Sequence, residues 1–230
     1  MQTLVLIPGL GSDGGVWRRT IAALGDRVDC SIGDTLSDDT LAGMARRILD
    51  RAPEHFALAG VSMGGMVALE LMQLAPERVS CLALVDTNAL PDRLGRRAYR
   101  HAANLVVGTT PNFRRLAECS LGSLVHRNAP EDVRAELVEM SVRVGARAYV
   151  RQNRAVIARG DLRDILPGIR APTSVIVGQD DQMTPVGLSQ EIHSLTPGST
   201  LNVIPDCGHL PPIEKPEAVA ELLLELLRRS

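Results

Sequence analysis

An unbroken apolar run, Phe56-Ala57-Leu58-Ala59-Gly60-Val61, passes directly into Ser62-Met63-Gly64-Gly65 and then into a helical apolar pattern of Met66, Val67, Leu69, Leu71, Met72 and Leu74. A run without polar alternation suits a parallel strand covered on both faces, and the helix after it is expected to end near Pro76. Between the two, Gly60-Val61-Ser62-Met63-Gly64 has the G-x-S-x-G spacing of a sharp strand-to-helix turn. The glycines omit Cβ atoms where strand and helix nearly touch, and the serine sits in a strained conformation that turns its hydroxyl outward. A glycine-rich turn without chemistry has the same local pattern, so the weight of Ser62 depends on its partners elsewhere in the chain.

A hydroxyl is a poor nucleophile near neutral pH and needs a histidine base, which in turn needs a carboxylate to hold its tautomer. Of the five histidines, His55 precedes the serine, and His193 falls within an amphipathic helix over 186–195. His209 fits best, because it follows the strand-like Thr200-Leu201-Asn202-Val203-Ile204 in the loop Pro205-Asp206-Cys207-Gly208-His209-Leu210. For the acid, the strand Ser174-Val175-Ile176-Val177 leads into Gly178-Gln179-Asp180-Asp181-Gln182-Met183-Thr184-Pro185. The Gly-x-x-Asp-x-x-x-Pro pattern selects Asp181, leaving Asp180 as a solvated turn residue. Asp86, at the end of the strand Cys81 to Val85, is held in reserve.

Acyl chemistry at Ser62 also requires donors for the oxyanion that develops on the attacked carbonyl. The backbone N–H of Met63 starts a helix and is one candidate. Leu10 N–H is the other, from Pro8-Gly9-Leu10-Gly11-Ser12 after the apolar Leu4-Val5-Leu6-Ile7. That glycine-rich stretch lacks the spacing and the ribose-binding acid of a dinucleotide fingerprint.

These residues, together with Trp17 and with Pro216 after Gly208-His209, resemble the α/β-hydrolase-fold serine hydrolases of the small bacterial esterase type, relatives of carboxylesterases and meta-cleavage-product hydrolases. The resemblance covers nearly the whole chain. It implies a catalytic Ser62, His209 and Asp181, an oxyanion hole from Leu10 and Met63, and hydrolysis of a small carboxylic ester through an acyl-enzyme. The same constellation serves thioesters, lactones, C–C bonds of vinylogous diketones and perhydrolysis, and a few proteins of this fold only bind ligands. Two departures stand out. Pro8-Gly9 replaces the His-Gly of many relatives, and Ser31 to Thr40 replaces their Asp-x-x-Gly-His-Gly type segment.

Strands are expected near 3–7, 28–32, 56–61, 79–85, 174–178 and 200–204, with helices between them, which makes a mostly parallel sheet of about six strands covered on both faces. Because the chain opens on the oxyanion-loop strand, the two N-terminal strands of larger relatives are expected to be missing. Residues 87–164 carry helix signals only and are expected to form an all-helical cap, inserted in a core of 1–86 and 165–230. That segment holds fourteen Arg and eight acidic residues, a net of +6 within a chain of −2. An electropositive cap could attract an anionic substrate, with Arg151 and Arg154 as its candidate partners; Trp17 is either a pocket wall or part of the core. Lys215 is the only lysine, so arginine is also a general compositional choice here.

Other classes find little support. Aromatic residues are 2% of the chain, with no basic stripe for nucleic acid, no P-loop and no metal-ligand cluster such as His-Glu-x-x-His. No cofactor is expected. No apolar segment reaches the roughly 18 residues that span a bilayer, and Met1-Gln2-Thr3 runs into the first strand without a basic leader. Cys30, Cys81, Cys119 and Cys207 show no C-x-x-C pairing. A cytoplasmic protein with reduced thiols is the expectation, with Cys207 open to oxidation.

Overall fold

The computed structural model describes residues 3–229. Six strands, β1 (Thr3–Ile7), β2 (Asp29–Ile32), β3 (Phe56–Val61), β4 (Val79–Val85), β5 (Thr173–Gly178) and β6 (Thr200–Ile204), form one parallel sheet in the order β2-β1-β3-β4-β5-β6. The expected strands lie within a residue of these bounds. Nine α-helices occur among the described residues: α1 (Arg18–Leu24), α2 (Leu41–Leu49), α3 (Met63–Leu74), α4 (Leu94–Thr109), α5 (Phe113–Leu124), α6 (Glu131–Ala158), α7 (Val186–Leu195), α8 (Pro211–Glu214) and α9 (Pro216–Leu227).

Successive strand residues point to opposite faces, and the core divides accordingly. Val5, Ile7, Leu58, Leu82 and Leu84 pack with α2, α3 and α7, while Leu4, Leu6, Ala59, Val61, Ala83 and Val85 pack with α1 and α9. Every residue of β3 is buried, as its unbroken apolar sequence requires.

Parallel pairing brings the carboxyl ends of the strands to one edge of the sheet, where such folds place their ligands. Ile7 pairs with Gly60, Val61 with Val85, and Gly178 with Ile204. The loops that follow β1, β3, β4, β5 and β6 therefore converge there. The helices α4, α5 and α6 lie between β4 and β5 in sequence; α6 has a break at Gly145, where φ is 72°. No helix among the described residues is long and apolar enough to cross a membrane.

Candidate active site

Ser62 occupies the turn between β3 and α3 with φ 56° and ψ −117°, a conformation that costs a non-glycine residue on the order of 1–3 kcal/mol. The surroundings hold it there. Its N–H donates to Val85 O at 2.9 Å, and its carbonyl accepts from Thr87 Oγ1 at 2.7 Å. A Cβ at Gly60 would collide with the Gly64 backbone, and one at Gly64 with the carbonyls of Ile7 and Pro8. This close approach of backbones explains why the motif needs glycine at both positions.

His209 and Asp181 meet the serine from the neighbouring loops. Nε2 of His209 lies 2.9 Å from Ser62 Oγ, and Nδ1 lies 2.8 Å from Asp181 Oδ2. Both partners are almost completely buried, and Ser62 is half-buried. The Asp181 carboxylate also accepts from the N–H groups of Met183 (2.7 Å) and Thr184 (3.0 Å) and from Thr184 Oγ1 (2.6 Å). Burial alone pushes this acid toward its neutral form; the hydrogen bond and charge of His209, helped by Asp86 and Thr184, reverse the effect and hold it well below the usual carboxylate range.

Asp86 lies beneath this pair, fully buried, with φ 41°. Its Oδ1 accepts from Gly178 N–H at 3.0 Å. Burial, followed by the adjacent Asp181 carboxylate, raises its pKa well above the ordinary value. Two buried carboxyls cannot both ionise at low cost. Asp181, with its four donors, is the member held in the charged form, while burial and the neighbouring charge favour the neutral form of Asp86, whose Oδ2 accepts no hydrogen bond. Asp86, Asp181 and His209 offer ligand atoms within 4.8 Å of one another. Asp181 and His209 are hydrogen-bonded to each other, and both carboxylates accept from backbone amides, an arrangement suited to orienting an imidazole.

On the opposite side of Ser62, the turn Gly9 to Ser12 closes with Ser12 N–H donating to Gly9 O at 3.2 Å, and its third residue, Gly11, has a positive φ of 72° that glycine adopts without strain. Gln152, buried in α6, accepts from Gly11 N–H at 2.8 Å and donates to Thr35 Oγ1 at 3.4 Å. The N–H groups of Leu10 and Met63 donate to no protein acceptor among the described residues, and both residues line the cleft that contains Ser62 and His209.

Of the three candidate pocket residues, Trp17 takes its alternative place in the core, and the two arginines lie outside the cleft. Trp17 is wholly buried in the core, because the turn of 3-10 helix Gly14–Trp17 swings it inward to donate from Nε1 to Ile7 O at 3.2 Å. Arg151 is tied to Leu36 O by Nε and by a second guanidinium N–H. Arg154 is exposed on α6. The arginines that do line the cleft are Arg96 and Arg100 of α4. The segment after β2 thus serves as a seat for α6, through Thr35 and Leu36.

Glu214 also escaped the motif reading. Its carboxylate accepts from the N–H groups of His126 (2.7 Å), Gly208 (3.1 Å) and Leu210 (3.3 Å), which fixes the loop on both sides of His209. Its only sequence signal is an acid a few residues after the histidine. Cys207, expected to be open to oxidation, is fully buried, and burial with the nearby Glu214 pushes its thiol far up, away from the reactive thiolate.

A family model described as the alpha/beta hydrolase family matches residues 4–222. The chain belongs to the α/β-hydrolase family. As an α/β hydrolase it is 28% identical over 245 residues to a pimeloyl-[acyl-carrier protein] methyl ester esterase of Aromatoleum aromaticum, with 98% of each chain covered. Among solved structures it resembles a thermophilic esterase from Thermogutta terrifontis, with a TM-score of 0.88, 28% identity and coverage of 99% and 90% of the two chains. The enol-lactonase of Burkholderia xenovorans shares the fold at a TM-score of 0.86 and 22% identity, with coverage of 99% and 91%.

Proposed function

We propose that this α/β hydrolase cleaves a small carboxylic ester through an acyl-enzyme. The observation that carries the reading is the continuous hydrogen-bond chain from Ser62 Oγ through His209 to Asp181, built on a serine held at positive φ. Ser62 attacks the carbonyl while His209 takes its proton through Nε2. The negative charge of Asp181 stabilises the imidazolium so formed. The amides of Leu10 and Met63 receive the oxyanion, and His209 then returns the proton to the departing alcohol. Water, activated by the same histidine, releases the acid.

Residues 87–164 serve as a cap in this reading, excluding water and shaping the substrate pocket. The names of the esterase relatives favour an ester over the other bonds open to this machinery. Free thiols at Cys30, Cys119 and Cys207 suit a reducing compartment and a cytoplasmic enzyme. Turnover of p-nitrophenyl esters of increasing acyl length tests the proposal, with Ser62→Ala as the control for contaminating esterase. Turnover that disappears in the variant supports it. If the wild type turns over none of the series, the ester assignment fails and a diketone panel for C–C hydrolysis becomes the next test.

A further inference from the structure

Two cavities meet above Ser62. The first holds Ser62 and His209, and the second, about 510 Å3, opens among α4, α5 and α6. They share nine lining residues, Leu10, Leu124, Met183, Arg96 and Arg100 among them, so both arginines line both spaces. The second adds the apolar side chains of Val107, Phe113 and Leu116 to its walls, with Ser123 and Gln182 among the polar ones.

The charge at this junction does not balance. The Asp92 carboxylate, whose side chain is 4% exposed, lies 2.6 Å from Arg100 Nε, 2.9 Å from a terminal nitrogen of Arg159 and 3.8 Å from Arg96 Nε. No second carboxylate among the described residues is within ion-pair distance of any of the three. Three guanidiniums face one carboxylate, which leaves two positive charges uncompensated.

The donors are distributed unequally. Arg159 is almost fully buried and directs its N–H groups to Leu90 O, Val156 O, Asn88 and Asp92. Arg100 is held by Asp92 and by Asn153 Oδ1, with its other terminal nitrogen bound to no protein acceptor. Arg96 is the least committed, its one hydrogen bond running to Met183 O at 3.1 Å, with its side chain 42% exposed. Guanidinium groups match the planar fork of a carboxylate, and their attraction for it strengthens where apolar walls keep the dielectric low.

We propose that Arg96, backed by Arg100, forms an anion subsite at the junction of the two cavities, and that the preferred substrates are esters bearing a free carboxylate, such as hemiesters of dicarboxylic acids. This rests on the ester-hydrolase reading for its reaction, though not for its binding. Arg96 here is a specificity-determining residue, and Arg100 and Asp92 hold the site in shape.

Two measurements test it separately from the reaction. The first is calorimetric titration of adipate into Ser62→Ala, which cannot turn over, and into Ser62→Ala combined with Arg96→Gln. Adipate should bind the single variant and bind the double variant about tenfold or more weakly, the scale of one lost charge-assisted hydrogen bond. The second compares kcat/KM for adipate monomethyl ester and for methyl hexanoate in the wild type and in Arg96→Gln. The carboxylated ester should be preferred, and Arg96→Gln should lower the ratio of the two about tenfold, mainly through KM. Arg96→Lys, which keeps the charge and the exposed stem, should recover part of the ratio. Absence of adipate binding to Ser62→Ala, or a ratio unmoved by Arg96→Gln, overturns the subsite. Adipate binding that depends on Arg96 upholds the subsite even where neither ester is turned over; the ester reading itself falls only if the p-nitrophenyl series is not turned over either.

Discussion

Asp181 Oδ2 and His209 Nδ1 lie 2.8 Å apart in a pocket closed to solvent, and the same carboxylate collects three further donors from the two residues Met183 and Thr184. An amide at this position cannot hold the required histidine tautomer. Asp181→Asn should lower kcat by about 10³–10⁴-fold, by analogy with serine proteases. Asp180 is exposed, and the one ion-pair contact found for it among the described residues, to the His126 ring, spans 3.8 Å, so Asp180→Ala should change kcat by less than about twofold. Steady-state kinetics of the two variants check both; comparable losses would leave the acid unassigned.

Asp86 should make folding less stable as pH rises. An unfolded aspartate ionises near pH 3.9 or about that value, whereas buried Asp86 ionises only at a higher pH. Below about pH 3.9 both states hold the proton and Asp86 imposes no penalty. Above that, the unfolded chain gains by ionising and the folded protein does not, so stability falls until the pH passes the folded value. Asn removes this proton and keeps the acceptor for Gly178 N–H. Asp86→Asn should therefore raise Tm near neutral pH, with the gain shrinking toward pH 4. Thermal melts over that range measure it. Asp181 has the opposite sign: its pKa is depressed on folding, so its contribution is present above the unfolded value and disappears in acid.

Glu214 links three backbone amides around His209, and Glu214→Ala leaves those amides of Gly208, Leu210 and His126 without their acceptor. Hydrogen bonds to a charged group contribute about 1.5–3 kcal/mol each, and water recovers part of that in a half-buried site. A net loss of about 2–3 kcal/mol is expected, or several degrees in Tm, with a fall in kcat as the histidine loop loosens. Melting and kinetics on one preparation would show both.

Gly64→Ala should be far more damaging than its single methyl suggests. The new Cβ would fall on the carbonyls of Ile7 and Pro8, which are backbone atoms at the end of a central strand and cannot rotate away. Loss of several kcal/mol is expected, visible as insoluble protein or a much lowered Tm. Gly187→Ala, where nothing lies within 4 Å, is the matched control and should leave Tm within a few degrees.

Much of this was legible in the chain, for a physical reason. Fully buried parallel strands have unbroken apolar runs, so β3 and β4 could be bounded to within a residue, and a turn as tight as Gly60 to Gly65 admits few sequences. The loops at the strand ends carry Ser62, Asp181 and His209, and the sheet order brings them together. What escaped depends on contacts distant in sequence. The bonds of Gln152 to Gly11 and of Glu214 to His126 span 141 and 88 residues, and no local pattern announces them. The arginine-rich helices gave a net charge without an address: α4 presents Arg96 and Arg100 to the cleft, while α6 turns Arg151 onto the loop after β2. Trp17 followed the oxyanion loop closely enough to suggest a wall, but one turn of 3-10 helix carries it into the core.

Everything proposed for the site depends on Ser62 being a nucleophile made reactive by His209. The most direct test of this is the rate at which a fluorophosphonate forms a covalent adduct, followed by intact mass and located by peptide mapping, in the wild type, Ser62→Ala and His209→Ala. One adduct is expected, on Ser62, absent in Ser62→Ala and slowed by several orders of magnitude in His209→Ala. An adduct on another residue, or labelling of Ser62 at an undiminished rate without His209, would contradict it.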